Sequence, residues 1–191
     1  MRIFFKLIIL ILSFQSSAKA DDIKDFAIHG ISVGDSLLDF YNADEIYKNI
    51  DPNVYKNKDK KFVLAGFYGK FGEYDGLQFA IKPNDKKLII YGINGGVFFS
   101  NINECNIERK SIRKELSLLF KDATTNFDDK IIHSADSTGK SFVISDGFFL
   151  NSGSASVKCF NWSDEITKKY GWADNLRVGV KLKEYNDWLK D

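Results

Sequence analysis

Histidine and cysteine are scarce in this chain, at two residues each, and proline is no commoner. Each scarcity excludes something. A Ser-His-Asp device needs an imidazole oriented by a carboxylate beside a nucleophile. Only His29 and His133 could supply one. His133, with Ser134 and Asp136, is the one local cluster. Neighbours on one loop rarely form a triad, so His133 reads as a solvated loop histidine and His29 as a strand residue. Zinc favours Cys and His ligands, and the two cysteines are better used otherwise. There is no C-x-x-C to lower a thiol pKa, so a redox-active pair is not indicated.

Phosphate and calcium motifs are also missing. Gly139-Lys140-Ser141 has the end of a P-loop, but Ser134 stands where its first glycine belongs. A strand pattern follows, so no helix N-terminus is placed to hold phosphate. Asp128, Asp129 and Asp136 have the oxygen chemistry for a calcium contact, but no EF-hand spacing, and read as solvated acids. No Asp or Glu has a context that marks it for glycoside chemistry. The sequence therefore assigns no catalytic residue, no metal ligand and no cofactor.

Neither charge sign prevails, with 27 Lys and Arg against 26 Asp and Glu. A basic patch for nucleic acid is not indicated. After the first twenty residues no apolar run is long enough to span a bilayer.

Those first twenty residues have a pattern of their own. Arg2 and Lys6 precede the apolar run Leu7–Leu12, and Ala18-Lys19-Ala20 ends the segment with small residues at alternate positions. Positive start, short apolar core and A-x-A site together read as a cleavable signal peptide over 1–20. No cysteine follows the run to carry a lipid. Losing Arg2, Lys6 and Lys19 takes three positive charges from a formal +1 and leaves −2. The expectation is a single domain over 21–191, in the periplasm or secreted, with no membrane span after cleavage.

In an exported protein an even cysteine count suggests a bridge. A helix pattern runs from about Asn103 to Lys121, with Cys105 on the face of Ile112, Leu116, Leu119 and Phe120. Cys159 alternates inward with Ala155 and Val157. Two inward sulfurs, one on a helix and one on a strand, suit a structural disulfide Cys105–Cys159; two separate buried thiols are the alternative. A bridge closing a loop of about 55 residues stabilises by roughly 4 kcal/mol on the chain-entropy model.

Elsewhere the patterns give a strand at Phe26–Ile31 and two short helical pieces capped by Ser36 and Asn42, ending before Pro52. Strands follow at Phe62–Tyr68, Leu77–Ile81 and Leu88–Phe99, with Asn94-Gly95-Gly96 a bulge or a turn. After the long helix, Asp122–Lys140 reads as a surface loop. A hairpin of Phe142–Leu150 and Ala155–Trp162, a helix capped by Ser163, a strand through Leu176, Val178 and Val180, and a short helix over Glu184–Leu189 complete the chain. The class is α+β, antiparallel meanders with helices on one face. The order helix, three strands, helix, three strands suggests two αβββ halves, which share no clear sequence similarity.

Gly30-Ile31-Ser32-Val33-Gly34-Asp35-Ser36-Leu37-Leu38, Asn84-Asp85-Lys86-Lys87, Asn103-Glu104-Cys105 and Trp172–Val178 resemble a family of small exported proteins from streamlined marine bacteria. That family is functionally uncharacterised, so the resemblance implies no catalytic residues. The opening strand, Gly-x-Ser and helix is also similar to small periplasmic domains like β-lactamase inhibitory protein and the outer-membrane assembly lipoproteins. This likeness implies a binding protein with helices on an antiparallel sheet; the lipid-bearing Cys of the assembly proteins is absent.

Aromatic residues are plentiful, with 17 Phe alone. Adjacent pairs such as Phe98-Phe99 and Phe148-Phe149 put one ring on each face of a strand. Phe67, Tyr68, Phe98, Phe148 and Trp162 are the candidate binding surface. The alternative is that helices or loops cover both faces. The expected function is a non-catalytic binding or interaction module, for an unknown protein or small ligand. A hydrolase with an unrecognised carboxylate site and a structural envelope component are the alternatives.

Overall fold

The computed structural model describes residues 22–55 and 58–190; the signal-peptide reading falls outside them. The elements run β1 (Ala27–Ile28), β2 (Ile31–Ser32), α1 (Ala43–Lys48), β3 (Val63–Phe71), β4 (Tyr74–Ile81), β5 (Ile90–Phe98), α2 (Ile102–Leu119), β6 (Thr124–Ile132), β7 (Phe142–Leu150), β8 (Gly153–Asn161), α3 (Asp164–Tyr170), β9 (Asn175–Leu182) and α4 (Lys183–Lys190). One sheet of seven strands holds the molecule together, in the order β3-β4-β5-β9-β8-β7-β6. Every neighbouring pair is antiparallel. The last strand in sequence thus lies between the two meanders.

Local chemistry explains most boundaries. Asn42 caps α1 by accepting from the Glu45 amide at 2.9 Å. Asn101 does the same for α2 through Glu104 at 3.0 Å. Ser163 caps α3, which ends at Gly171 in the left-handed conformation that glycine tolerates best. Where one strand was expected over Phe26–Ile31, His29 and Gly30 adopt positive φ and fold it into the β1–β2 hairpin. The first helical piece is a single 3-10 turn over Leu37–Asp39.

Alternation gives the sheet two faces. Leu77, Phe79, Ile93, Val157, Cys159, Leu176, Val178 and Val180 form the core face. Helix α2 packs on it through Cys105, Ile112 and Leu116, and Ile23, Ile28, Val33 and Leu37 of the N-terminal segment extend the cover. Cys105 and Cys159 are disulfide-bonded, with Cα atoms 6.0 Å apart.

Two expectations are corrected. Residues 122–140 are not a loop: Thr124–Ile132 form the edge strand β6, paired with β7 and bulged between Asn126 and Asp129. Nearly every β6 side chain is exposed, so hydrogen bonds to β7 hold the strand, with little help from burial. Nor do all helices share one face. Helix α4 lies on the other side, where Tyr185 packs over Gly92 and Asn186 donates to Ser154 at 2.8 Å. Tyr185 and Trp188 build a second, smaller core there with Phe62 and Ala80.

Beneath α2 sits a buried ion network. Arg109 is 1% exposed and faces Asp146, itself fully buried, at 2.5 Å, and Asp128 at 2.6 Å. Arg113 adds contacts to Asp128 at 2.8 Å and Asp146 at 3.5 Å. Asp146 also accepts from the Asp128 amide at 2.8 Å. The network fastens the β6 bulge, where Asp128 takes a positive φ, to the helix. Hydrogen bonds from Arg109 and then Arg113 hold the Asp128 carboxyl down at about 2.

Candidate functional site

Helix α4 covers only part of its face. Beyond it lies a cleft of about 390 Å³ at the end of the sheet where β5, β9 and β8 meet. Register puts its floor together. Phe160 of β8 pairs with Asn175 of β9, and Lys158 with Arg177. From β5, Gly96 pairs with Arg177 and Phe98 with Asn175. Tyr68, Gln78 and Asn94 form the far wall.

Glycine keeps the floor open. Gly76 and Gly96 pair across β4 and β5. A Cβ placed on Gly96 would have the Gly76 carbonyl oxygen, 4.0 Å away, as its nearest neighbour. A Cβ there would enter the cleft without striking the fold.

The near wall is aromatic. Trp162 stacks on Phe160 with ring centres 5.7 Å apart, and Trp172 lies 4.7 Å from Trp162. Tyr170 stacks on Trp172 at 5.0 Å at the rim. His133 meets Trp162 edge-on at 4.5 Å. The turn carrying Trp172 is fixed by Asp174, which accepts from the Trp162 amide at 2.7 Å.

Two polar atoms in these walls have no partner. Apart from the Arg109–Asp146 pair, whose atoms face each other, the buried side-chain polar atoms without a hydrogen bond among the described residues are Trp162 Nε1 and Asn175 Oδ1. Asn175 is 8% exposed and spends its amide N–H on the Ala173 carbonyl at 2.9 Å. A buried donor or acceptor left unmade costs about 1–3 kcal/mol.

Charge is unbalanced at the floor. Lys158 and Arg177 oppose each other directly, an unfavourable pairing of like charges. Among the described residues no carboxylate lies within 4.0 Å of either, or of Lys181 on the same face of β9. Arg177 is held over the Phe160 ring at 4.7 Å. Burial works against the charge on all three cations, and with Lys158 and Arg177 nearby it brings Lys181 down to about 8. Burial, then Arg177, also lowers the His133 imidazole.

The cleft walls hold two carboxylates. Asp75 is ion-paired with Lys70 and accepts from the Phe98 amide at 2.9 Å. Asp51 accepts from the Asn53 amide at 2.8 Å. The hydrogen bond from Lys70 holds the Asp75 carboxyl below the usual range, opposite to the raised pKa of a general acid. The His133, Ser134 and Asp136 cluster makes no triad either. His133 Nδ1 accepts from the Ala135 amide at 3.2 Å. Asp136 is buried, and its carboxylate accepts from Ser141, Thr138 and Ser163, which hold its pKa well down. Among the described residues no cluster of His, Cys, Asp or Glu is arranged to hold a metal.

Of the five aromatic residues expected at a binding surface, Tyr68, Phe98 and Trp162 line the cleft. Phe67 and Phe148 do not: they are core residues, 5% and 0% exposed. The pleat sends their neighbours Tyr68 and Phe149 outward instead. Sequence reading missed Lys158, Asn175 and Arg177, which alternate on strands like solvent-facing polar residues. Only the placement of β8 and β9 in mid-sheet buries them. No family model, curated protein or solved structure matches this chain.

Proposed function

We propose that this protein is a non-catalytic binding module, exported to an oxidising compartment, that holds a small molecule in the cleft beyond α4. The observation that carries the reading is an aromatic-walled cleft of about 390 Å³ with Arg177, a cation that has no carboxylate within 4.0 Å among the described residues, at its floor. Ring faces with a few polar groups set among them are what a preformed ligand site offers. The occupied carboxylates Asp51 and Asp75 weigh against the hydrolase alternative. The Cys105–Cys159 bond fits folding outside the cytoplasm. On the same reading α1 with β3–β5 and α2 with β6–β8 are two copies of an αβββ unit, joined by β9.

Native mass spectrometry of the oxidised protein, mixed with a small-molecule extract of the producing cells, tests the proposal. Gly96→Leu is the filled-cleft control. The expected result is a bound species on the wild type that Gly96→Leu does not retain, at equal melting temperature. A wild type that holds nothing beyond what the filled variant holds would overturn it.

A further inference from the structure

The charge and shape of the cleft specify its ligand further. This step rests on the small-molecule reading above. Half-buried Arg177 stands at the floor, and Lys158, its neighbour on β8, lies outside the cleft's lining. Of the two carboxylates in the walls, Asp75 is already matched by Lys70. Asp51 is the one without a cation within 4.0 Å among the described residues. Arg177 is the one lysine or arginine in the lining, and a single guanidinium suits a singly charged anion better than a phosphate dianion. A buried guanidinium without a carboxylate partner is costly, and an oxyanion seated on it removes the cost.

The rest of the site is flat and apolar. Phe160, Trp162 and Trp172 offer ring faces and edges. The floor opposite them lacks a side chain at Gly96, where a Cβ would meet nothing nearer than 4.0 Å, leaving a slot.

We infer that the cleft binds a ring-bearing monocarboxylate, its carboxylate on Arg177 and its ring against Trp162 and Trp172. An aromatic acid and a sugar acid share that chemistry.

Calorimetric titration with matched acid and neutral probes tests the assignment and separates the two sources. The pairs are indole-3-carboxylate with indole-3-carboxamide, and galacturonate with galactose. In at least one pair the acid should bind about tenfold or more tighter, the worth of one charge-assisted hydrogen bond. Arg177→Gln should reduce that preference to about twofold while leaving the neutral probe unchanged. Its melting temperature should not fall, since it removes one of two opposed cations. Lys158→Gln keeps the arginine and should retain most of the preference. Gly96→Leu should abolish binding of the acid.

A neutral probe that binds as tightly as its acid, or a preference that survives Arg177→Gln, overturns the carboxylate assignment and leaves the small-molecule reading intact. Failure of both acids to bind also overturns it. Native mass spectrometry then decides separately whether the small-molecule reading falls with it.

Discussion

Arg109 shows how much one side chain can fix. It is long, charged and 1% exposed, and it holds a fully buried Asp146 at 2.5 Å. Removing one partner of such a pair strands the other in a low dielectric. Arg109→Leu should therefore destabilise by about 3–5 kcal/mol in urea denaturation. Asp146→Leu alone should cost less, because Arg109 keeps Asp128. The double variant should recover much of the loss. Additive losses in the double-mutant cycle would show that the pair does not act as a unit. Nothing in the sequence distinguished Arg109 from the other basic residues of α2. Its role is set by a partner 37 positions away on β7. The cleft residues were hidden for the same reason: an alternating Lys158 or Arg177 looks solvated until its strand is known to lie in mid-sheet.

At the scale of the element, legibility followed burial. Helix α2 announced itself through Cys105, Ile112 and Leu116 at helical spacing, and the structure places it at Ile102–Leu119. The hairpin of β7 and β8 was clear from alternation and the turn at Asn151-Ser152. Strand β6 was not, because nearly all of Thr124–Ile132 is exposed and the bulge at Asn126 breaks its period. A strand held by its neighbour's hydrogen bonds leaves no hydrophobic pattern to read. The disulfide joins α2 to the sheet across a separation of 54 residues. Reducing it, or substituting both cysteines by alanine, should lower stability by about 2–5 kcal/mol. Thermal melts with and without reductant check this. An unchanged melting temperature would mean that the core packing of α2 suffices without the bond.

The whole molecule has two pH limbs with different causes. Asp128, with a carboxyl held at about 2, and Asp75 and Asp136, also held below the ordinary range, are depressed in the folded state. Their stabilisation is present above the unfolded carboxylate range near 4 and is lost as pH falls toward the folded values. Lys181 behaves in the opposite sense. Its folded pKa of about 8 lies below the ordinary 10.5, so the unfolded chain binds more protons between those values. Stability should therefore rise as pH climbs from about 8 toward 10.5. Lys181→Met should reduce that rise, leaving the smaller part due to Lys158, and raise the melting temperature at neutral pH by several degrees, each kcal/mol being worth about 2–4 °C at this size. Melting curves from pH 2 to 10 on both proteins test both limbs. A wild type that does not gain stability above pH 8 would contradict the assignment to Lys181.

The position of β9 has a consequence for how the chain folds. The two meanders β3–β5 and β6–β8 each form from short-range contacts, but their facing edges, β5 and β8, meet only through β9. β5 and β9 pair across more than seventy residues. The two halves cannot join until residues 175–182 are free to insert between them, so the cooperative transition waits for that long-range pairing. Until then Arg177 and Asn175 have no sheet to sit in. The pocket they line exists only once β9 has docked.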